Sequence, residues 1–94
     1  MIVRVVLPRA LVEFAAGHRE VEIDVPDDAV LGDVVTELTL RYPALGRRIV
    51  DETGALRRFA NVYVGQDECR RLEGLATLVR PGVDVSIIGS SAGG

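Results

Sequence analysis

Ninety-four residues with a formal net charge of −3, 48% hydrophobic and 27% charged, make one globular domain with a modest core. One cysteine and one histidine allow no internal disulfide and argue against a zinc centre, and the acidic balance argues against nucleic acid. No apolar run approaches the ~20 residues that span a bilayer, and "MIVRVVLPRA" is too short and strand-like for a signal peptide, so a cytoplasmic protein is expected.

The first predicted element is a strand over Ile2–Leu7, rich in valine and closed by Pro8. Gly17 and His18 mark a turn. In "EVEIDVP", Val21, Ile23 and Val25 alternate with Glu20, Glu22 and Asp24, the pattern of a strand with one wet face. The two strands are expected to form a hairpin. Leu31, Val34, Val35, Leu38 and Tyr42 then make a single apolar stripe, which predicts a helix over 31–42. Asp27, Asp28 and Asp33 near its start and Arg41 near its end suit the helix dipole, and Pro43 is read as its stop. "ALGRRIV" is read as a second short helical turn and "DETG" as a loop.

"RFANVYVG" predicts a strand with Ala60, Val62 and Val64 on one face and Phe59, Asn61 and Tyr63 on the other. "GQDE" leads into a short strand near Cys69. Pro81-Gly82 has the chemistry of a type II turn, and "VDVSII" closes the pattern with Val83, Val85 and Ile87. Strand, strand, helix, then strands is the order of an α+β two-layer domain. Residues 1–88 are expected to be that domain, and 89–94 a flexible tail.

The ending "GSSAGG" has no charge and no large apolar group. Two readings compete: frayed end, or a carboxylate at Gly94 built to enter a narrow partner site. Six extended residues reach at most about 20 Å, and Gly93 and Gly94 carry no Cβ to block a constriction. Gly89, Ser90, Ser91 and Ala92 would thread behind them.

The other candidates each have a plain reading. Cys69 reads as a small buried hydrophobe, and His18 as an exposed turn residue. The pairs Arg47-Arg48, Arg57-Arg58 and Arg70-Arg71 read as solvated surface, with Arg57, Arg58, Arg70 and Arg71 as a possible docking rim in a second reading. Phe59 and Leu75 are read either as core or as part of a partner patch. No phosphate loop, catalytic triad or paired catalytic carboxylates is found.

The run "RFANVYVGQDE…GLATLVRPGVDVSIIGSSAGG" resembles the MoaD/ThiS group of ubiquitin-like sulfur carriers, with "LGDVV" before "RYP" fitting as well. Within that group the resemblance is strongest to carriers serving cysteine biosynthesis and natural-product pathways. It spans essentially the whole chain. It departs at Val83, where the family commonly has aspartate, and at Gly89, where it often has proline.

The resemblance implies a β-grasp fold: a mixed sheet with one main helix packed across it and a flexible Gly-Gly tail. It implies a protein co-substrate rather than an enzyme, with no bound cofactor and no metal. An E1-like enzyme would adenylate Gly94 with ATP. A sulfur donor protein or sulfide would convert it to a thiocarboxylate. A sulfur-acceptor synthase, a PLP-dependent one for cysteine, would take the sulfur. Natural-product sulfur insertion is the next destination, and molybdopterin follows. The alternatives are a modifier conjugated through Gly94 and a β-grasp binding module with an inert tail.

Overall fold

A computed structural model describes residues 1–88 of the chain. Five strands form one sheet in the order β2-β1-β5-β3-β4. They are β1 (Ile2–Val6), β2 (Glu20–Asp24), β3 (Asn61–Val64), β4 (Asp67–Glu68) and β5 (Val85–Ile88). β1 pairs antiparallel with β2 and parallel with β5, so the first and last strands lie side by side at the centre. β3 runs antiparallel to β5 and to the short edge strand β4. This mixed sheet, with helix α1 (Leu31–Arg41) across one face, is the β-grasp arrangement.

The alternation in the strands sets which face is dry. Val3 and Val5, Val21 and Ile23, Val62 and Val64, and Val85 and Ile87 are all buried. Against them lie Leu31, Val34, Val35 and Leu38 of α1, the stripe expected from sequence, with Tyr42 half-buried beyond it. The helix starts where the Asp33 carboxylate accepts the Val30 backbone N–H at 2.9 Å, and Arg41 sits in its last turn. Burying this face is what holds a valine-rich helix of modest intrinsic propensity.

Several expectations are corrected. The connection between β1 and β2 is no simple turn, because a 3₁₀ helix over Arg9–Ala15 precedes the left-handed residues Ala16 and Gly17. Pro43 does not merely stop a helix. The chain breaks at Tyr42, and Pro43 opens helix α2 (Pro43–Ile49), since proline lacks only a donor that the first helical turn leaves unused. Cys69 is not in a strand. It begins a 3₁₀ turn over Cys69–Arg71, and its core placement holds, with no exposed surface. The turn at Pro81-Gly82 has Gly82 at φ 81° and a Val83 N–H bond to the Arg80 carbonyl at 3.2 Å, as a type II turn requires.

The "GLAT" segment has a structural task. A 3₁₀ turn over Gly74–Ala76 leads into Thr77, whose carbonyl accepts the Leu31 N–H at 2.8 Å. The Val79 N–H bonds the Ala29 carbonyl at 3.1 Å, so this segment ties down the start of α1.

α1 and α2 meet at Gly46. A Cβ there would fall onto the Thr39 side chain, whose hydroxyl is pinned to the Val35 carbonyl at 2.8 Å. Gly46→Ala gains about 1 kcal/mol of helix propensity but costs about 1–3 kcal/mol in overpacking against a side chain that cannot easily yield. The expected net result is destabilisation, read as a lowered midpoint in thermal unfolding. Gly46→Ala combined with Thr39→Ala should recover most of it.

Candidate functional site

β5 ends at Ile88, and the chain continues from there. Gly94 and the threading residues Gly89, Ser90, Ser91, Ala92 and Gly93 lie outside the described residues. What the structure defines is the surface around their point of departure. Because β5 runs parallel to β1, its end points past Val6 toward Pro8, and Ile88 pairs with Asn61 at the start of β3.

Among the described residues, the face of the sheet away from α1 carries half-buried and exposed side chains. Register puts Val6, Ser86 and Tyr63 in one row across its three central strands, each half-buried. Ile88 and Asn61 form the next row. Phe59, two residues before Asn61, is 58% exposed, and Ile88 is 48% exposed. Phe59 is therefore not core. The strand expected to include it begins only at Asn61, and Phe59 falls in the turn before it, closed by the Ala60 N–H on the Arg57 carbonyl.

Leu75 is half-buried and belongs elsewhere. It packs on the core beside α1, lining a groove with Gly32, Leu40 and Val50. The two candidates do not form one patch. Arg57, Arg58 and Arg71 are exposed. Arg70 is exposed too, but its guanidinium is engaged, donating to the carbonyls of Ala60 and Arg57. Sequence reasoning assigned no role to Tyr63 or Ile88. The signal was present, since burying Val85 and Ile87 leaves Ser86 and Ile88 on the other face.

Charges frame the apolar rows. Arg4 on β1 holds Asp84 in a two-pronged pair at 2.7 and 3.2 Å and approaches Glu20 at 3.6 Å. The hydrogen bond from Arg4, then its charge, lowers the Asp84 carboxyl below its ordinary value, and Asp84 in turn raises Arg4. A carboxyl lowered by folding stabilises the fold fully above its unfolded value near 4, and that contribution is lost as pH falls through the lower folded value. The pair is exposed, so the contribution is small and falls with salt. Arg4→Gln should return the Asp84 titration midpoint toward about 4, read by carboxyl NMR.

The Cys69 thiol is raised, first by burial and then by the Glu68 carboxylate, so at neutral pH it stays protonated and poorly nucleophilic. No group of three or more metal-ligating side chains occurs among the described residues, and no helix among them is long and apolar enough to cross a membrane.

The fold and this face define a ubiquitin-like β-grasp domain whose last strand emerges at the sheet centre. The chain belongs to the ThiS family, whose model matches residues 5–94. It is 33% identical over 96 aligned residues to the "Sulfur carrier protein CysO" of Mycobacterium tuberculosis, covering 100% of both chains. It is 33% identical over 78 residues to "Small archaeal modifier protein 3" of Haloferax volcanii, covering 83% of this chain and 84% of that protein. Among solved structures it is similar to a chain of the Amycolatopsis orientalis BexX/CysO complex, with a TM-score of 0.85 at 30% identity, covering 98% of this chain and 99% of that one.

Proposed function

We propose that this chain is a sulfur carrier that works through a carboxylate at Gly94. The observation that carries the reading is the full-length match to a sulfur carrier protein, together with a family match that runs through residue 94. The chemistry explains why a carrier needs a partner. An ionised carboxylate is a poor electrophile, with a reference pKa near 3.5. Its oxygen attacks the α-phosphorus of ATP on an E1-like enzyme, releasing pyrophosphate and leaving an acyl-adenylate. Sulfide then adds to the acyl carbon, the carbon–oxygen bond to AMP breaks, and AMP leaves with the electron pair. The product is a thiocarboxylate. With a persulfide donor the first product is an acyl disulfide, which a thiol must reduce. Carriage by a covalent intermediate splits one hard transfer into two easier ones.

In this reading the protein is a co-substrate and holds no cofactor of its own. The face around Ile88, Tyr63 and Phe59 docks on the adenylating enzyme, because six residues allow the carboxylate only about 20 Å of reach from that point. Arg57, Arg58 and Arg71 are its cationic rim. The acceptor is a synthase: cysteine formation on a PLP-dependent enzyme comes first, natural-product sulfur insertion second and molybdopterin third. The site of action is the cytoplasm.

A second reading is a protein modifier conjugated through Gly94, supported by the likeness to a small archaeal modifier protein. One experiment separates them. The chain is incubated with ATP, the E1-like enzyme of the same genome and sulfide, then weighed intact. Replacement of one carboxylate oxygen by sulfur, mapped to Gly94, is expected. ATP consumption without sulfur incorporation would reject the carrier reading.

A further inference from the structure

Arg70 holds a single tight turn through the turn's own carbonyls. The turn runs from Arg57 to Ala60 and is closed by the Ala60 N–H bonding the Arg57 carbonyl at 3.0 Å. Arg58 and Phe59 stand at its corners, both exposed. One terminal nitrogen of Arg70 donates to the Ala60 carbonyl at 2.8 Å. The other donates to the Arg57 carbonyl at 2.6 Å and, at longer range, to that of Arg58 at 3.4 Å. Ala60 is buried and lies just before the paired residues of β3, so its carbonyl takes a hydrogen bond from this guanidinium rather than from a strand neighbour.

The guanidinium is itself held. Arg70 follows Cys69, which is sunk in the core, so its backbone cannot drift. Glu68 accepts the Arg70 backbone N–H at 3.1 Å, and the same carboxylate oxygen lies 3.6 Å from the guanidinium. The turn is anchored at its entry too, where the Arg57 N–H bonds the Ile49 carbonyl at 2.8 Å and its side chain bonds the Arg47 carbonyl. Entry is fixed by α2, exit by β3, and the concave middle by Arg70. The carbonyls are served from two nitrogens held at a fixed separation by the planar guanidinium fork; a lysine ammonium has three N–H donors but all on one nitrogen, and cannot reproduce that spacing.

The placement of Phe59 makes this more than a packing detail. Phe59 lies two residues before Asn61, which pairs with Ile88, where the described chain ends. An exposed aromatic on a loose turn would have to be ordered on docking. Ordering one backbone residue costs affinity on the order of tenfold.

We propose that Arg70 is a positioning residue: it fixes the Arg57–Ala60 turn so that Phe59 stands ordered at the docking face beside the departure point of segment 89–94. The inference rests on the carrier reading above. It also gives Arg70 a task distinct from that of the exposed Arg58 and Arg71.

The test is steady-state ATP–pyrophosphate exchange by the E1-like enzyme of the same genome, with the full chain as the varied substrate. Arg70→Met should raise the KM for the chain roughly tenfold and leave kcat within about twofold. Arg70→Lys should behave like Arg70→Met. In a Phe59→Ala background, Arg70→Met should add less than about twofold, because the residue it positions is gone. NMR relaxation should show residues 58–60 loosened in Arg70→Met, with α1 and the β1–β2 pair unaltered.

An unchanged KM, a fall in kcat instead, or full additivity with Phe59→Ala would overturn the assignment. Should Arg70→Met fail to fold, Glu68→Gln keeps the fork but removes its ionic anchor. It should raise KM in the same direction, again only when Phe59 is present, and an unchanged KM there would also overturn it. Absence of any exchange with the wild-type chain rejects the carrier reading and this inference with it. Normal wild-type exchange with an additive cycle rejects Arg70's role alone.

Discussion

Deletion of Gly94 should abolish sulfur loading and leave the thermal unfolding midpoint where it was. The two halves of this result have separate causes. Among the described residues the core runs from Val3 to Ile87. The hydrogen bonds that tie down the start of α1, Leu31 to Thr77 and Val79 to Ala29, lie among the described residues as well. Removing residue 94 therefore takes no described packing with it. The chemistry is different. Loading needs the acyl carbon to reach both ATP and the sulfur donor in a partner site, and a chain one residue shorter ends on Gly93 at the wrong depth. Misplacement on the order of 1 Å already costs about 10²-fold in a positioned reaction, and one extended residue spans more than 3 Å.

Intact-mass measurement after incubation with ATP, enzyme and sulfide reads the loss, and calorimetry reads the stability. Cys69 offers no alternative route, being buried with a raised thiol. Sulfur retained by the shortened chain, or found on Cys69, would overturn the assignment of Gly94.

The fold was legible where a period was long and clean. Five apolar positions of 31–42 mark α1, and three alternating pairs mark β2. Burial of one face follows from each pattern, and that is what the structure shows. The 3₁₀ helix over Arg9–Ala15 was not legible. Its apolar residues Leu11, Val12 and Phe14 fit neither period, and it is held by tertiary contact, with Arg48 of α2 stacked 3.8 Å over the Phe14 ring. Pro43 misled because proline reads as a break from either side. Only the backbone at Tyr42 shows that a helix ends before it and another begins with it.

The docking face divides in the same way. Phe59, Asn61 and Tyr63 share a strand phase that sequence supplies. In the structure β3 starts only at Asn61, and Phe59 is surface because it sits in the turn before it. The bonding of Arg70 to the Arg57–Ala60 turn was beyond reach. It depends on the β3–β4 pairing, which folds residue 70 back against a turn ten residues earlier. Nothing in the dipeptide Arg70-Arg71 distinguishes its two members.

Absence of self-conjugated chains is the second large expected effect. An activated carboxylate is attacked by any free amine near it, and ubiquitin-like chains grow when that amine is a lysine on another copy. All eleven basic residues here are arginine, and there is no lysine. The guanidinium stays protonated at neutral pH and is no nucleophile. The α-amino group of Met1 is the remaining amine. It donates to the Val25 carbonyl at 2.8 Å and lies 3.3 Å from Asp24 and 3.5 Å from Asp27, so it is tied down beside the end of β2 rather than free to approach an acyl carbon. Activated copies therefore have no good acceptor in one another, and the acyl carbon stays available to sulfur.

The measurement is a denaturing gel of chain, ATP and adenylating enzyme without any sulfur source, where self-acylation would be most evident. A single band is expected. An arginine in an exposed turn offers a positive control: Arg58→Lys places an amine on the open surface beside Phe59 and should allow covalent dimers to appear. A ladder from the wild-type chain, with isolated Gly94-to-Met1 linkages, would show that the α-amine is accessible after all and would remove this argument for sulfur carriage over conjugation.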